Sequence, residues 1–352
     1  MISKLRLNSF RNFKTKLLDF SDKTTVIIGP NASGKTNILE SLFVLSTGKS
    51  FRAHTEEEMI AYAKDLARIK GRVKEDGEIK DLEVVLTRGF IDIGKSSPEK
   101  VARKKLLTAG LPKRLIDFAG NFRITLFGPW DLDLVTESPS LRRRFLDMVL
   151  SQVDREYRRA FLSYEKGLRQ RNKLLLRIRD EGLSRGQLLF WDRLLVKNGD
   201  YIAARRQYFI DFVNSTPPLD SEIFSLAYDK SAISEARLEQ YAEEEVAAAT
   251  TLVGPHRDDF IFSRGRRDLA KFGSRGEQRM GVLWLKIAEL RFIEEATGAR
   301  PTLLLDDIFS ELDHKHREIV MGVSRNQQTI ITTADPHFIE GFKKVEKIRL
   351  EG

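Results

Sequence analysis

The 352-residue sequence contains no cysteine. A chain without thiols has no disulfide framework, no thiolate zinc site and no cysteine nucleophile. It also lacks an apolar run of about 18 residues, so no transmembrane helix is expected. The first six residues, Met1–Arg6, alternate in charge and lack the apolar core of a signal peptide. The five histidines are scattered, and the pair His314 and His316 is too weak to predict a metal site.

The composition is that of a folded chain with a basic excess. Hydrophobic residues make up 41% and charged residues 32%, which supplies a core and excludes a disordered chain. The length predicts about two domains, or one domain with an insertion. Lysine and arginine total 60 against 51 acidic residues, a net charge of +9. This excess fits a polyanionic partner such as nucleic acid or an acidic membrane surface, and it fits a solubilising surface equally well.

The hydrophobic pattern predicts an α/β core that is interrupted by a helical region. Val26–Ile28 and the runs 302–305 and 329–332 are short, apolar and typical of buried parallel strands. Residues 66–94 alternate as antiparallel strands do, and residues 112–248 have mostly helical periodicity. We therefore expect lobe I to comprise residues 1–111 and 290–352, and a helical lobe II to comprise residues 112–289.

A phosphate-binding loop follows the first buried strand. The sequence fits G-x-x-x-x-G-K-[ST] in full and lies between a strand and a helix that begins near Gly34. Glycines let backbone N–H groups approach phosphate, and the helix N-terminus favours an anion. Lys35 would neutralise phosphate charge, and the Thr36 hydroxyl would ligate Mg²⁺. The residues of this motif are Gly29, Pro30, Asn31, Ala32, Ser33, Gly34, Lys35 and Thr36.

An acidic pair ends a distant apolar strand. Leu303–Leu305 runs into Asp306 and Asp307. Asp306 is the natural anchor for Mg²⁺, and Asp307 is placed to orient or deprotonate a water molecule. Asp306 follows Thr36 by 270 positions (306 − 36). Small kinases and simple GTPases keep these halves much closer, so the spacing indicates an ATPase head of the ABC and SMC class.

That class predicts a serine–glycine signature motif before the acidic strand. Ser274-Arg275-Gly276-Glu277-Gln278 precedes an apolar helix, and Ser274 lies 32 positions before Asp306 (306 − 274). Ser274 and Gly276 would meet a γ-phosphate at a helix start, and Gln278 is a further candidate nucleotide contact. The same residues also fit an ordinary capping box, in which Ser274 is the N-cap and a glutamate follows three residues later.

Two further segments complete the pattern. Ser310–Asp313 follows the acidic strand at the position of the dimer-facing D-loop, so Asp313 is a candidate nucleotide contact. Thr333 stands where many relatives of the class carry a γ-phosphate-sensing histidine. Its hydroxyl would donate a hydrogen bond there, and a plain strand-end threonine explains it equally well.

Several motifs resemble the RecF family of bacterial recombination mediators over essentially the whole chain. The most specific is Leu305-Asp306-Asp307 running into Phe309–Asp313, because most ABC-type proteins carry Asp-Glu there. The other matching segments are Phe10–Phe13, Gly48–Arg52, Phe127–Leu132, Ser138–Pro139, Arg142–Asp147, Gln170–Asn172 and Gly254–Asp259. A departure is Glu277, where glutamine is frequent.

The resemblance implies an α/β, ABC/SMC-type P-loop ATPase head with an inserted helical lobe and no coiled coil. It implies a cytoplasmic protein that dimerises on ATP with Mg²⁺, binds DNA at duplex–single-strand junctions or gaps, and hydrolyses ATP slowly. It also implies RecO and RecR as partners in loading RecA, and no membrane partner. Arg11 and Asn12, one strand before the P-loop, become candidate nucleotide contacts, as does Asn37.

The DNA-contacting residues are predicted from basic clusters in the helical region. They are Arg142, Arg143, Lys166, Arg169 and Arg171, with Lys173 and others on the same helix. Each of them is more often part of a solvated charged face than a contact, and the match of Arg171 to a family motif has a structural interpretation too. No aromatic platform for single strands is visible, so contact through the duplex backbone is favoured.

Three other functions remain open. A phosphotransferase would use the P-loop to move a phosphoryl group to a small acceptor, although the motif spacing and the signature serine argue against it. A nucleotide-gated scaffold would recruit partners with negligible hydrolysis, which the short Asp307 side chain makes plausible. Another ABC-class ATPase, such as a transport ATPase, is the third.

Overall fold

The computed structural model describes residues 1–75, 77–91, 99–310, 312–339 and 345–351. The chain divides into lobe I, Met1–Pro129 with Ile293–Gly352, and lobe II, Trp130–Phe292. These boundaries differ from the expected ones mainly in residues 112–129, which belong to lobe I. The reason is that Ile124–Phe127 pairs in parallel with Thr302–Asp306, so this stretch is part of the central sheet. Residues 92–94 of the expected antiparallel region lie outside the described residues.

The strands are numbered along the chain. They are β1 Ile2–Phe10, β2 Phe13–Asp19, β3 Thr24–Ile28, β4 Leu66–Glu75, β5 Glu78–Thr87, β6 Phe90–Ile91, β7 Glu99–Lys100, β8 Lys104–Thr108, β9 Leu111–Lys113, β10 Ile124–Phe127, β11 Phe224–Asp229, β12 Asp259–Arg264, β13 Arg267–Asp268, β14 Thr302–Asp306, β15 Thr329–Thr333 and β16 Glu346–Arg349.

The helices are numbered in the same way. They are α1 Lys35–Thr47, α2 Leu115–Phe118, α3 Asp133–Thr136, α4 Pro139–Val153, α5 Arg155–Glu181, α6 Leu189–Ser215, α7 Glu235–Gln240, α8 Ala242–Ala248, α9 Leu269–Phe272, α10 Arg275–Thr297 and α11 His314–Ser324. No helix among the described residues is long and apolar enough to cross a bilayer.

Lobe I is built on a parallel sheet with the strand order β10-β14-β15-β3-β16. Its central strands β3, β14 and β15 are almost wholly buried, as their continuous apolar runs predict for parallel strands covered on both faces. The predicted strands at 302–305 and 329–332 are confirmed. A second, antiparallel sheet has the order β2-β1-β4-β5-β8-β9, and α1 contacts strands of both sheets. This explains why ten of the residues of α1 are buried.

Lobe II combines long helices with a small sheet of β11, β12 and β13. The helical periodicity expected over residues 112–248 is present in part as the long helix α5, which ends at Glu181. The acidic, alanine-rich stretch 235–249 forms two short helices, α7 and α8.

A buried arginine organises the centre of lobe II. Arg206 is 2% exposed. Its guanidinium donates to Asp147 at 2.7 Å, to Asp258 at 2.9 Å and to the Pro255 carbonyl at 2.6 Å. Asp258 also accepts from the backbone N–H of Ser231 at 2.8 Å. The Gly254–Asp259 motif therefore serves to satisfy a buried charge, because an unpaired charge in the interior is costly.

Replacing Arg206 with leucine would leave the buried Asp258 carboxylate and the partly buried Asp147 carboxylate without their cation. We expect the free energy of unfolding to fall by about 3–5 kcal/mol, measured by urea denaturation. The matched control is Arg177→Leu, because Arg177 pairs with Glu181 at 2.9 Å with both side chains about half exposed. That control should cost under about 1 kcal/mol. Equal losses in the two variants would contradict the role given to Arg206.

Candidate nucleotide site

The register of the parallel sheet brings three sequence motifs to one edge. Asp306 pairs with Thr332, and Thr333 pairs with Ile28, the last residue of β3. Because parallel strands point the same way, their carboxyl ends meet at one edge, where open α/β sheets bind ligands. The P-loop after β3 therefore lies beside the acidic end of β14.

The P-loop backbone depends on glycine at position 34. Gly34 has a φ of 97° at the start of α1. A Cβ there would lie 2.6 Å from the Phe13 ring and 2.8 Å from the Asn12 amide, so the left-handed backbone and the close packing both require glycine. Lys35 is buried and its ammonium donates to the carbonyls of Gly29 at 2.8 Å and Pro30 at 2.9 Å.

The loop also contains a buried hydroxyl for which no acceptor or donor is found among the described residues. It belongs to Ser33, which is 7% exposed. Buried polar groups are normally hydrogen-bonded. This atom, the Lys35 ammonium and the first N–H groups of α1 form a set that suits a phosphate anion.

The residues expected to hold Mg²⁺ are in contact. The Thr36 hydroxyl donates to the Asp306 carboxylate at 2.7 Å, and the Thr332 hydroxyl donates to the other oxygen of the same carboxylate. A hydroxyl and a carboxylate are the oxygen ligands that Mg²⁺ accepts when phosphates and water complete its shell. The donor set therefore fits the ion. Thr332 was not anticipated from the sequence.

A buried glutamate supports the P-loop helix from behind. Glu40 in α1 is fully buried. Its carboxylate accepts from Arg11 at 2.6 and 2.8 Å, from Arg52 at 2.8 Å and from the Ser50 hydroxyl at 2.6 Å. Burial alone would raise the pKa of Glu40, but the hydrogen bonds from Arg11, Arg52 and Ser50 outweigh it and lower the pKa.

These contacts give Arg11 and Asn12 positioning roles. The third nitrogen of the Arg11 guanidinium donates to the Glu58 carbonyl at 2.6 Å, so each of its nitrogens has a partner inside lobe I. The side-chain oxygen of Asn12 accepts from the side-chain amide of Asn37 at 2.7 Å. The side-chain oxygen of Asn37 accepts from Arg52. The RecF-like Phe10–Phe13 motif thus braces the P-loop and α1.

The segment after β14 has an unusual backbone. Asp307 has a φ of 48°, a conformation that costs energy in a residue other than glycine. Its N–H donates to the carbonyl of Thr332 at 3.1 Å. The Ser310 hydroxyl donates to the Asp307 carbonyl at 2.7 Å. These contacts hold Asp307 at the end of the acidic strand, while Glu311 of the expected D-loop lies outside the described residues.

Asp313 and Thr333 have local partners. Asp313 caps α11 by accepting from the His316 N–H at 3.0 Å, and this backbone hydrogen bond lowers its pKa. Thr333 is 1% exposed and its hydroxyl donates to the Asp335 carbonyl at 3.0 Å. For Thr333 the strand-end interpretation is therefore the better one.

The signature segment of lobe II forms a capping box. The Ser274 N–H donates to the Glu277 carboxylate at 2.7 Å, and the Glu277 N–H donates to the Ser274 hydroxyl at 3.3 Å. The capping-box interpretation is confirmed, and it leaves the signature interpretation open.

The prediction for Gln278 was wrong, because this side chain is 5% exposed and donates to the Leu269 carbonyl at 3.1 Å.

Two of the predicted DNA contacts are structural. Arg171 is 2% exposed and pairs with Asp192 at 2.6 Å and Glu245 at 2.7 Å. Arg142 is 9% exposed and pairs with Asp259 at 2.6 Å. Both predictions were wrong, because the sequence shows a basic run but not which arginines have buried partners.

The other three predicted DNA contacts differ in exposure. Arg143 is half-buried and donates to the Asp258 carbonyl at 2.8 Å, so its side chain is less accessible to a ligand than an exposed cation. Lys166 and Arg169 are exposed on α5, as is Lys173.

The P-loop joins a parallel strand to a buried helix, and its acidic partner lies 270 positions away on the same sheet. This arrangement defines an ATPase head of the SMC and ABC class.

Comparisons with known proteins agree with this class. The RecF/RecN/SMC N-terminal domain family matches residues 1–351. The DNA replication and repair protein RecF of Herpetosiphon aurantiacus is 38% identical over 95% of this chain and 93% of that protein. RecF of an Exiguobacterium species is 37% identical over 95% and 92%.

Solved structures of similar proteins indicate the same class of ATPase head. The recombination mediator protein RecF with ATP, in the RecFOR pathway, is 28% identical, with a TM-score of 0.87 over 97% of this chain and 93% of that chain. The Smc head domain of Pyrococcus furiosus is 16% identical, covers 99% of this chain and 93% of that chain, has a TM-score of 0.51, and supports the fold alone. The chain belongs to the RecF family. The relatives in this family carry the name DNA replication and repair protein.

The low pKa of Glu40 makes a pH-dependent contribution to stability. A carboxylate whose pKa is lowered on folding stabilises the protein above its unfolded pKa of 4.5 and loses that effect as the pH falls through the folded pKa. Glu40→Gln should therefore lower the free energy of unfolding by about 3–5 kcal/mol at pH 7, because two arginines lose their buried anion.

The difference between parent and Glu40→Gln should shrink as the pH falls below 4.5 and through the lowered folded pKa of Glu40, because the parent carboxylate then loses its charge as well. Denaturant unfolding at pH 7 and at a series of pH values below 4.5 measures it. Glu78→Gln is the control, because Glu78 is exposed on β5 of the same lobe and should change little. A difference that stays constant with pH would show that the contribution of Glu40 is not electrostatic.

Proposed function

We propose that this protein is an ATP-switched DNA clamp, in which two protomers enclose two ATP molecules. Each nucleotide lies on Lys35 and Thr36 of one protomer and is capped by Ser274 and Gly276 of the partner subunit. The observation that carries this proposal is the contact of Thr36 with Asp306 at 2.7 Å beside the P-loop. This arrangement holds the phosphate- and metal-binding groups together, and ATP then acts as the link between protomers.

The residues divide the chemistry between them. The Lys35 ammonium leaves the Gly29 and Pro30 carbonyls and neutralises phosphate charge, while the first N–H groups of α1 orient the anion. Thr36 and Asp306 would hold Mg²⁺, which when bound neutralises charge on the phosphate oxygens. Asp307 orients a water molecule for attack and accepts its proton. A short, backbone-strained aspartate in this role supports slow hydrolysis, which releases the dimer.

The proposed DNA surface lies on α5. Lys166, Arg169 and Lys173 are exposed and spaced by three and four residues, so they share one face of the helix. Three cations on one face suit the phosphate backbone of a duplex, whose recognition does not depend on bases. We propose gapped or junction DNA as the ligand.

The relatives described within the RecFOR pathway support RecO and RecR as partners. We propose that the chain acts with them in the cytoplasm to load RecA.

A second candidate is a nucleotide-gated scaffold with negligible hydrolysis. This function is favoured by the φ of 48° at Asp307, because this backbone conformation fixes the direction of the side chain. The aspartate side chain is also shorter than that of glutamate, so its carboxylate has a shorter reach toward a water molecule. Single-turnover hydrolysis of ATP, with and without gapped DNA, separates the two functions. Phosphate release that gapped DNA accelerates supports the clamp, and release indistinguishable from an Asp307→Asn variant supports the scaffold.

Lys35→Met should abolish ATP-dependent dimerisation, because the phosphate loses its buried cation. Gel filtration with ATP and Mg²⁺ measures the dimer. Lys14→Met is the matched control, since Lys14 is exposed on β2 of the same lobe and that variant should dimerise like the parent. A Lys35→Met protein that dimerises as well as the parent would disprove the nucleotide switch.

Replacing Lys166, Arg169 and Lys173 together with alanine should weaken binding to gapped duplex DNA. It should also reduce the slope of log K against log salt by about 0.9 for each lost phosphate contact. Fluorescence anisotropy at several salt concentrations measures both quantities. The control replaces Lys14 and Lys64, exposed in lobe I, with alanine. An unchanged salt slope in the triple variant would place the DNA surface elsewhere.

A further inference from the structure

The signature segment carries a negative charge where the proposed function brings a γ-phosphate. Glu277 lies three residues after Ser274, in the first turn of α10. One oxygen of its carboxylate accepts from the Ser274 N–H at 2.7 Å. Without a counter-charge this carboxylate would repel the nucleotide, because like charges in a partly dry site raise the free energy of binding.

The counter-charge comes from the end of β12. Arg264 donates to the other oxygen of the Glu277 carboxylate. Its remaining donors form a fork on Glu222, at 2.5 Å from Nε and 2.6 Å from Nη2. All three side chains are about one third exposed, so water screens their charges only in part. Arg264 is thereby held in place by Glu222 and fixes the carboxylate of Glu277.

This arrangement determines which groups at Ser274 can serve a ligand. The Ser274 hydroxyl accepts from the Glu277 N–H at 3.3 Å, and a hydroxyl that accepts one bond still has its hydrogen to donate. The N–H groups of Arg275 and Gly276 lie in the first helical turn, where no intrahelical carbonyl reaches them. Gly276 is open: a Cβ there would meet only the Ser274 hydroxyl, at 4.0 Å.

We propose that Arg264 is a positioning residue of the composite nucleotide site. It partly offsets the charge of Glu277 and holds the Glu277 carboxylate on the Ser274 N–H, so that the Ser274 hydroxyl and the Gly276 N–H face the γ-phosphate in a fixed geometry. This inference rests on the proposed dimer and goes beyond it by assigning a role to the Glu222–Arg264–Glu277 chain. Arg264 therefore acts on the nucleotide through Glu277 and does not contact the phosphate itself.

A rescue experiment tests the assignment. Glutamine at position 277 would cap Ser274 through its amide oxygen and carries no charge, so it needs no arginine. Arg264→Gln should weaken ATP-dependent dimerisation about tenfold, the effect of roughly 1.4 kcal/mol. Glu277→Gln should stay within about threefold of the parent, and the double variant Arg264→Gln/Glu277→Gln should recover to that level. A role of Arg264 in folding alone would not be rescued by Glu277→Gln.

The measurements are dimer fraction against ATP concentration, by analytical ultracentrifugation, and binding of a fluorescent ATP analogue to the monomer. Monomer binding should be unchanged in all variants, because it depends on the P-loop. Arg267→Gln, at an exposed arginine of the neighbouring strand, is the control and should behave like the parent. If Arg264→Gln does not fold, Arg264→Lys replaces it and should show an intermediate loss, because the charge stays and the fork is lost.

Two outcomes would overturn the inference while leaving the clamp intact: a dimerising parent whose Arg264→Gln variant dimerises equally well, or a double variant as weak as Arg264→Gln alone. A parent that stays monomeric at saturating ATP would overturn the proposed dimer and this inference with it.

Discussion

The hydrogen bond of 2.7 Å between the Thr36 hydroxyl and the Asp306 carboxylate joins residues 270 positions apart. It exists because β3 and β14 lie in one parallel sheet, separated only by β15, in a register that aligns their carboxyl ends. Parallel strands need long connections, and here the connection is long enough to contain lobe II. The placement of the site and the interruption of lobe I are therefore two results of the same strand pairing.

Both lobes rely on buried charges that are matched within a few ångströms. In lobe I, Glu40 forms ion pairs with Arg11 and Arg52. In lobe II, Arg206 forms ion pairs with Asp147 and Asp258. Removing such charges from water costs several kcal/mol, and the attraction between them offsets this cost only when the geometry is good. Each intact cluster therefore contributes little to the free energy of unfolding. A conformation that separates the charges is strongly destabilised, because it leaves a buried charge without a partner. In lobe I the cluster fixes α1, and therefore the P-loop, relative to the strands that precede it.

Sequence reasoning found the parts of the site that depend on local chemistry. The P-loop, the acidic strand and the capping box are each defined by residues within a few positions, so their spacing is visible in one chain. It did not find Glu40, Thr332 or the link from Arg264 to Glu277, because each needs a partner that is distant in the sequence. The same limit explains the errors at Arg142 and Arg171. Only the fold shows that Asp259, the partner of Arg142, lies 117 positions away. It also shows that Asp192 and Glu245, the partners of Arg171, lie in other helices.

The buried charges also change how the basic excess is interpreted. Among the described residues, the buried cations are Lys35, Arg142, Arg171, Arg206 and Lys286, and the buried carboxylates are Glu40, Asp131, Glu245, Asp258, Glu289 and Asp306. Because the buried cations do not outnumber the buried carboxylates, the interior does not account for the net charge of +9. The excess therefore belongs to the exposed residues. A polyanion meets only that exposed charge, so Lys166 and Arg169, which face water, are better placed to contact one than the buried Arg142 and Arg171.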